Sequence, residues 1–248
     1  YDFSGNKSEY TRKWKDVDKE FRFDKDLGRQ LGYKNFFEKN LPGAIKAISD
    51  PLEKAKAIYY FIQDHFIYNG KQRILSDIRV KEAFDEKSGN SSEINISLIN
   101  ALEAADLDAN VVLIATRDQA LPTKLYPVMT EFNYVMVLLR IGQDTYLLDA
   151  TSKFTPFGVL PDNTLNHQGR VLDFKDGSYW IDIVPFDKNV EYLNAQLQIT
   201  PEGTITGTVS ETYVGYPSAE ERQKIENKGK DDLQKYKQKL VEDATFSN

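Results

Sequence analysis

Helical and strand patterns are segregated along the chain. Apolar residues recur at helical spacing as far as about residue 105, and continuous or alternating apolar runs replace them from Val111 onward. Helices followed by antiparallel strands are typical of an α+β fold, not of alternating β-α-β units. The central runs that predict strands are 111–115, 132–140 and 145–149.

The clearest helix start lies at Asp50-Pro51. Asp50 can cap a helix, Pro51 suits the first helical position, and Glu53 follows three residues after the cap. Asn69-Gly70 is a stop signal. An amphipathic core helix is therefore predicted between these two signals.

The flanking segments differ from the centre in their pattern of apolar and charged residues. Residues 1–23 mix aromatic and charged residues without a sustained helical stripe, which predicts an irregular arm with a short strand. Alternation on both sides of Pro201-Glu202-Gly203 predicts a β-hairpin, and Ser218 to Glu242 predicts a charged helix. The predicted organisation is an N-terminal arm at 1–45, a central domain at 46–187 and the start of a C-terminal β-rich module at 188–248.

Composition excludes several kinds of chemistry. The chain has no cysteine and two histidines, His65 and His167, so it can form no disulfide, no cysteine-ligated metal site and no cysteine nucleophile. We therefore expect no cofactor and no metal. A net charge of -6 argues against a nucleic-acid partner, and no stretch approaches the ~20 apolar residues of a membrane span.

Three short motifs occur in an informative order. Gly89-Asn90-Ser91 is a turn that opens a helix, Phe132-Asn133-Tyr134-Val135 begins a strand, and Leu148-Asp149-Ala150-Thr151 closes the next strand. This order resembles the transglutaminase-like superfamily, which has a papain-like α+β fold. The resemblance covers about residues 45–160. Within the superfamily, the chain resembles bacterial three-part proteins in which such a core lies between β-rich modules. It implies a core of helices packed on an antiparallel sheet, with partial β-rich flanks.

The resemblance also assigns the catalytic positions. The nucleophile position falls on Ser91, the histidine position on Tyr134, or on Asn133 if the register differs by one, and the aspartate position on Asp149. A serine is far harder to ionise than the cysteine of the family. A tyrosine with an unperturbed pKa of ~10 is a poor base, and an asparagine cannot act as a base. No catalytic residue of the family's mechanism is therefore expected.

Three hypotheses about function remain. The leading one is a non-catalytic binding or scaffolding module, a pseudoenzyme in a larger bacterial envelope protein. It implies a periplasmic or envelope-associated location, flanking domains in the same polypeptide, and a peptide or glycan ligand in the cleft between the Ser91 helix and the Tyr134 strand. The alternative is a hydrolase that uses Asp149 and a second carboxylate in the same cleft. The third is a structural spacer whose cleft is filled by side chains.

Overall fold

The structure is a computed structural model that describes residues 13–185 and 189–226. The described residues fall into two compact units. The first comprises 13–153 and 157–185, and the second comprises 154–156 and 189–226.

The helices of the first unit precede its main sheet, in the predicted α+β order. Helix α4 begins as predicted, because Asp50 Oδ1 accepts a hydrogen bond from the Glu53 amide at 2.8 Å and Pro51 is the first helical residue. Its predicted end at Asn69-Gly70 was wrong, because the helix already ends at His65. Residues 67–68 instead pair in parallel with residues 88–89. The helices are α1 (Trp14–Phe23), α2 (Lys34–Asn40), α3 (Gly43–Lys46), α4 (Pro51–His65), α5 (Val80–Glu86) and α6 (Ser91–Ala104), with 3₁₀ turns at Gly28–Gly32, Met129–Glu131 and Asp162–Thr164.

Helix α1 corrects the prediction of an irregular arm over 1–23. Its apolar residues Val17 and Phe21 lie on one face and are fully buried. They belong to the same hydrophobic core as α4 and α6. Residues 1–12 of the predicted arm lie outside the described residues, and the domain boundaries at 45 and 187 stay predictions.

The main sheet is antiparallel, with strand order β5-β4-β3-β6-β7. The predicted hairpin is confirmed, since β4 and β5 pair from Ile141 opposite Asp144 to Val137 opposite Leu148. The strands of the first unit are β1 (Ile67–Tyr68), β2 (Ser88–Gly89), β3 (Asp108–Ile114), β4 (Tyr134–Ile141), β5 (Asp144–Leu148), β6 (Gln168–Leu172) and β7 (Tyr179–Asp182).

Both faces of the main sheet are buried, which explains why its central strands are continuously apolar. In β4, Val135 and Val137 pack with the helices, whereas Tyr134, Met136 and Leu138 pack in a second cluster. The alternation follows from the two-residue period of a strand. Helix α6 packs against β3 and β4 on the first face and against α2, α4 and α5.

The second unit contains the predicted hairpin. Strands β8 (Val190–Ile199) and β9 (Ile205–Val214) pair in register from Val190 opposite Val214 to Ile199 opposite Ile205. A helix follows over residues 216–226, and the rest of the predicted charged helix lies outside the described residues.

Candidate functional site

The turn Gly89-Asn90-Ser91 opens α6. Asn90 is the cap: its Oδ1 accepts from the Glu93 amide at 3.0 Å, and Glu93 Oε2 accepts from the Asn90 amide at 2.9 Å. Gly89 packs closely on this pair, since a Cβ there would lie 3.2 Å from Glu93 Cβ. The reciprocal bonds of the capping box hold Ser91 as the first residue of the helix.

Ser91 has no group that could activate it within the described ranges. Its side chain is fully buried, and its Oγ has no hydrogen-bond partner there. Its backbone amide donates to the Lys71 carbonyl at 3.1 Å. In acyl transfer, a backbone amide of this kind is a donor that stabilises the developing oxyanion. Here that donor is already occupied.

Asp149 follows β5 and is fully buried. Its Oδ1 accepts from the Thr151 amide at 2.8 Å and from Thr151 Oγ1 at 2.6 Å. Its Oδ2 has no partner among residues 13–185 and 189–226. Burial raises the pKa of the Asp149 carboxyl above its ordinary value, and the hydrogen bonds from Thr151 only partly oppose this.

Tyr134 is the first residue of β4, and its hydroxyl lies 3.2 Å from Thr151 Oγ1. Thr151 therefore links Tyr134 to Asp149. Burial raises the pKa of Tyr134 well above its ordinary value, and the charge of Asp149 acts in the same direction. The phenol consequently stays protonated at neutral pH.

Asn133, the alternative position, is bound elsewhere. Its Oδ1 accepts from the Thr116 amide at 2.9 Å, and its Nδ2 donates to Thr116 Oγ1 at 2.6 Å. A longer contact of 3.4 Å joins Nδ2 to Gln72 Oε1. The structure thus places Tyr134, not Asn133, beside Asp149.

Two further tyrosines lie near Asp149. The Tyr59 hydroxyl donates to the backbone carbonyl of Asp149 at 2.8 Å. Burial raises the pKa of Tyr59 and of Tyr68, and the negative charge of Asp149 contributes to both shifts. The carboxyl is therefore surrounded by phenols contributed by α4, β1 and β4.

Asn95 was not predicted as part of the site, although it attaches α6 to β4 and to the segment that follows β5. Its Nδ2 donates to the Val135 carbonyl at 2.9 Å, and its Oδ1 accepts from the Ala150 amide at 2.9 Å. Asn95 is fully buried. The available signal was an amide inside the apolar run Ile94-Asn95-Ile96, because a buried polar side chain needs hydrogen-bond partners.

Neither histidine hydrogen-bonds to the Ser91 hydroxyl or to Asp149 Oδ2. His65 stacks on Phe84 with ring centroids 3.9 Å apart, and its Nε2 lies 2.7 Å from the Phe84 carbonyl oxygen. His167 has a left-handed backbone, with φ of 58°, and its carbonyl accepts from the Ile183 amide. The His65 imidazole therefore packs against Phe84, and the backbone of His167 is bound to that of Ile183.

The described residues contain neither a cluster that could hold a metal ion nor a helix that could span a membrane. No group of three or more histidine and acidic side chains in this part of the chain could hold a metal ion. No described helix is long and apolar enough to cross a membrane.

Comparison with known proteins identifies one sequence family. The sequence model of the transglutaminase-like superfamily matches residues 39–141. The chain contains a transglutaminase-like domain. The matched range includes Ser91 and Tyr134 and ends before Asp149. No curated protein sequence matches the chain.

Two solved structures are similar to this chain. One is a proposed protease from Parabacteroides distasonis, with 14% identity and a TM-score of 0.44 over 69% of this chain. The other is a proposed cysteine protease from Cytophaga hutchinsonii, with 13% identity and a TM-score of 0.39 over 80% of this chain. The chain spans 30% and 56% of their respective lengths.

Proposed function

We propose that this transglutaminase-like domain is a non-catalytic binding or scaffolding module, and that it takes a peptide or glycan ligand beside the Ser91 turn. The observation that carries the proposal is the state of Ser91: its fully buried hydroxyl contacts no base in the described part of the chain. A serine without a base is a poor nucleophile, because its hydroxyl is rarely ionised.

The neighbouring groups support the same proposal. The family resemblance assigns the position of the base to Tyr134, and the raised pKa of this phenol keeps the proton on the oxygen. The amide of Ser91 is occupied by the Lys71 carbonyl, which removes one donor for an oxyanion. Nucleophile, base and oxyanion donor are thus all weakened at once.

A carboxylate-based hydrolase is the second candidate, because a buried acid with a raised pKa is typical of a general acid. Asp149 is such an acid, but its Oδ2 lies out of contact with solvent. The neighbours that act most strongly on this carboxyl are Thr151, Tyr134 and Asn95, none of which is a second acid. Paired-carboxylate hydrolysis needs two acids that flank the scissile bond, so the arrangement favours the binding module.

An activity assay on the purified chain tests the proposal. A glutamine-containing peptide, offered with and without a primary amine, reports amine transfer and amide hydrolysis. We expect no turnover by the wild-type chain. Ser91→Ala and the neighbouring control Ser88→Ala should then be indistinguishable from it. Turnover that Ser91→Ala abolishes and Ser88→Ala retains would contradict the proposal.

The binding part of the proposal needs a separate measurement. Amide chemical shifts of labelled protein, recorded with a mixed peptide pool and with peptidoglycan fragments, should move at the Ser91 turn and at the start of β4. Shifts confined to other surfaces would count against a ligand site there. The envelope location is also part of the proposal and rests on the family resemblance, and fractionation of the source cells tests it.

A further inference from the structure

We propose that Asp149 stays a neutral carboxylic acid in the folded domain at pH values where an exposed aspartate is already ionised, and that losing its proton as the pH rises destabilises the fold. The inference concerns a pH-sensitive group built into the domain and does not depend on the proposed function. It uses the described residues of the first unit alone.

The hydrogen bonds of Asp149 are unevenly divided between its oxygens. Oδ1 accepts from both donors of Thr151, at 2.8 and 2.6 Å, whereas Oδ2 is buried without a partner in the described chain. An ionised carboxylate would carry half of its charge on that unpartnered oxygen. Burying an unpaired charge is expensive, and a proton on Oδ2 removes the cost.

Among the described residues, the neighbours that act most strongly on the carboxyl carry no positive charge. Tyr59 comes from α4, Tyr68 from β1 and Tyr134 from β4, and all three are phenols that are neutral near pH 7. Helix α6 contributes Asn95, an uncharged amide. Thr151 completes the set of close neighbours. Ionisation would thus place a lone charge among neutral groups.

The direction of the pH effect follows from proton linkage. The raised pKa of Asp149 means that the folded state holds this proton more tightly than the unfolded state does. Stability then falls with pH wherever the folded state binds more protons. The stabilisation is complete below the ordinary aspartate pKa of about 3.9 and is lost as the pH rises through the folded-state pKa.

Urea unfolding of the full chain between pH 4 and pH 9, for wild type and Asp149→Asn, tests the inference. Asparagine keeps an oxygen that can accept from Thr151 and cannot ionise. The ratio of the wild-type to the Asp149→Asn unfolding constant should rise by up to about tenfold per pH unit from about pH 4. The rise should stop only above the folded-state pKa. Asp144→Asn, an exposed aspartate on the same hairpin, should leave the wild-type profile unchanged.

Two outcomes would overturn the inference. One is a ratio that stays constant between pH 5 and pH 9, which would mean that Asp149 is ionised throughout. The second comes from wild-type protein labelled with carboxyl-¹³C aspartate, so it does not require Asp149→Asn to fold. One carboxyl resonance should titrate well above the others, and titration of all described aspartates in the ordinary acidic range would contradict the inference.

Discussion

Replacing Asp18 with asparagine tests how α1 is attached to the sheet. Asp18 Oδ1 accepts from Arg170 Nε at 2.9 Å, and Oδ2 accepts from Nη2 at 2.6 Å. The Arg170 side chain is 4% exposed and that of Asp18 is 16% exposed. Asparagine preserves the shape of the side chain but removes the charge and one of the two acceptors, so Asp18→Asn leaves a nearly buried guanidinium without a counter-charge.

The expected loss follows from this burial. Breaking a buried ion pair on one side costs about 3–5 kcal/mol. Arg170 keeps its position over the Trp14 ring, 4.5 Å from the centroid, and Asp18 is not fully enclosed, so we expect the lower end, about 3 kcal/mol. At about 2–4 °C per kcal/mol for a domain of this size, the Tm should fall by about 6–12 °C. Urea unfolding and a thermal scan measure the two quantities.

A matched control tests whether the loss of stability depends on the burial of the ion pair or only on the loss of an ion pair. Arg117 and Asp162 form an ion pair of 2.9 Å with side chains 55% and 71% exposed. Because exposed pairs contribute about 1 kcal/mol or less, Asp162→Asn should cost no more than that. The double variant Asp18→Asn/Arg170→Met should lose less than the sum of its single variants, since each partner is costly mainly without the other. Equal losses for Asp18→Asn and Asp162→Asn would refute the reasoning.

Further predictions concern packing, the helix-to-strand attachment and capping, and denaturant midpoints measure all of them. Gly169→Ala would place a Cβ 2.6 Å from Val112 Cγ1, and overpacking of this kind should cost about 1–3 kcal/mol. Asn95→Ala leaves the Val135 carbonyl and the Ala150 amide without the hydrogen bonds to Asn95, and at about 1–3 kcal/mol for each buried group the loss should be about 2–6 kcal/mol. Asp50→Ala removes the cap of α4 and should cost about 1 kcal/mol. A loss smaller for Asn95→Ala than for Asp50→Ala would contradict this account of the attachment.

The sequence predicted elements whose signals are local. The start of α4 at Asp50-Pro51 and the hairpin of β4 and β5 depend on a cap, a proline and a short turn, all within a few residues. The Ser91 turn was predicted for the same reason. The α+β order could be predicted because both faces of the main sheet are buried, which makes its strands continuously apolar.

The errors arose where distant residues decide the structure. Helix α1 has two fully buried apolar residues and many charged ones, and its partner Arg170 lies 152 positions from Asp18. The end of α4 is set by the pairing of residues 67–68 with 88–89, which overrides the stop signal further along the chain. Asn95 contacts Val135 and Ala150 across 40 and 55 positions. No local pattern reports contacts of this range.

The position of Asn95 has a consequence for how this domain can change over time. Asn95 lies one turn inside α6 and hydrogen-bonds the helix to β4 and to the segment after β5. The side chains at 91, 134 and 149 take no part in these two bonds. Those three side chains can change while both hydrogen bonds of Asn95 stay in place. Substitutions at Asn95 remove these hydrogen bonds, and they therefore affect the backbone that positions all three side chains.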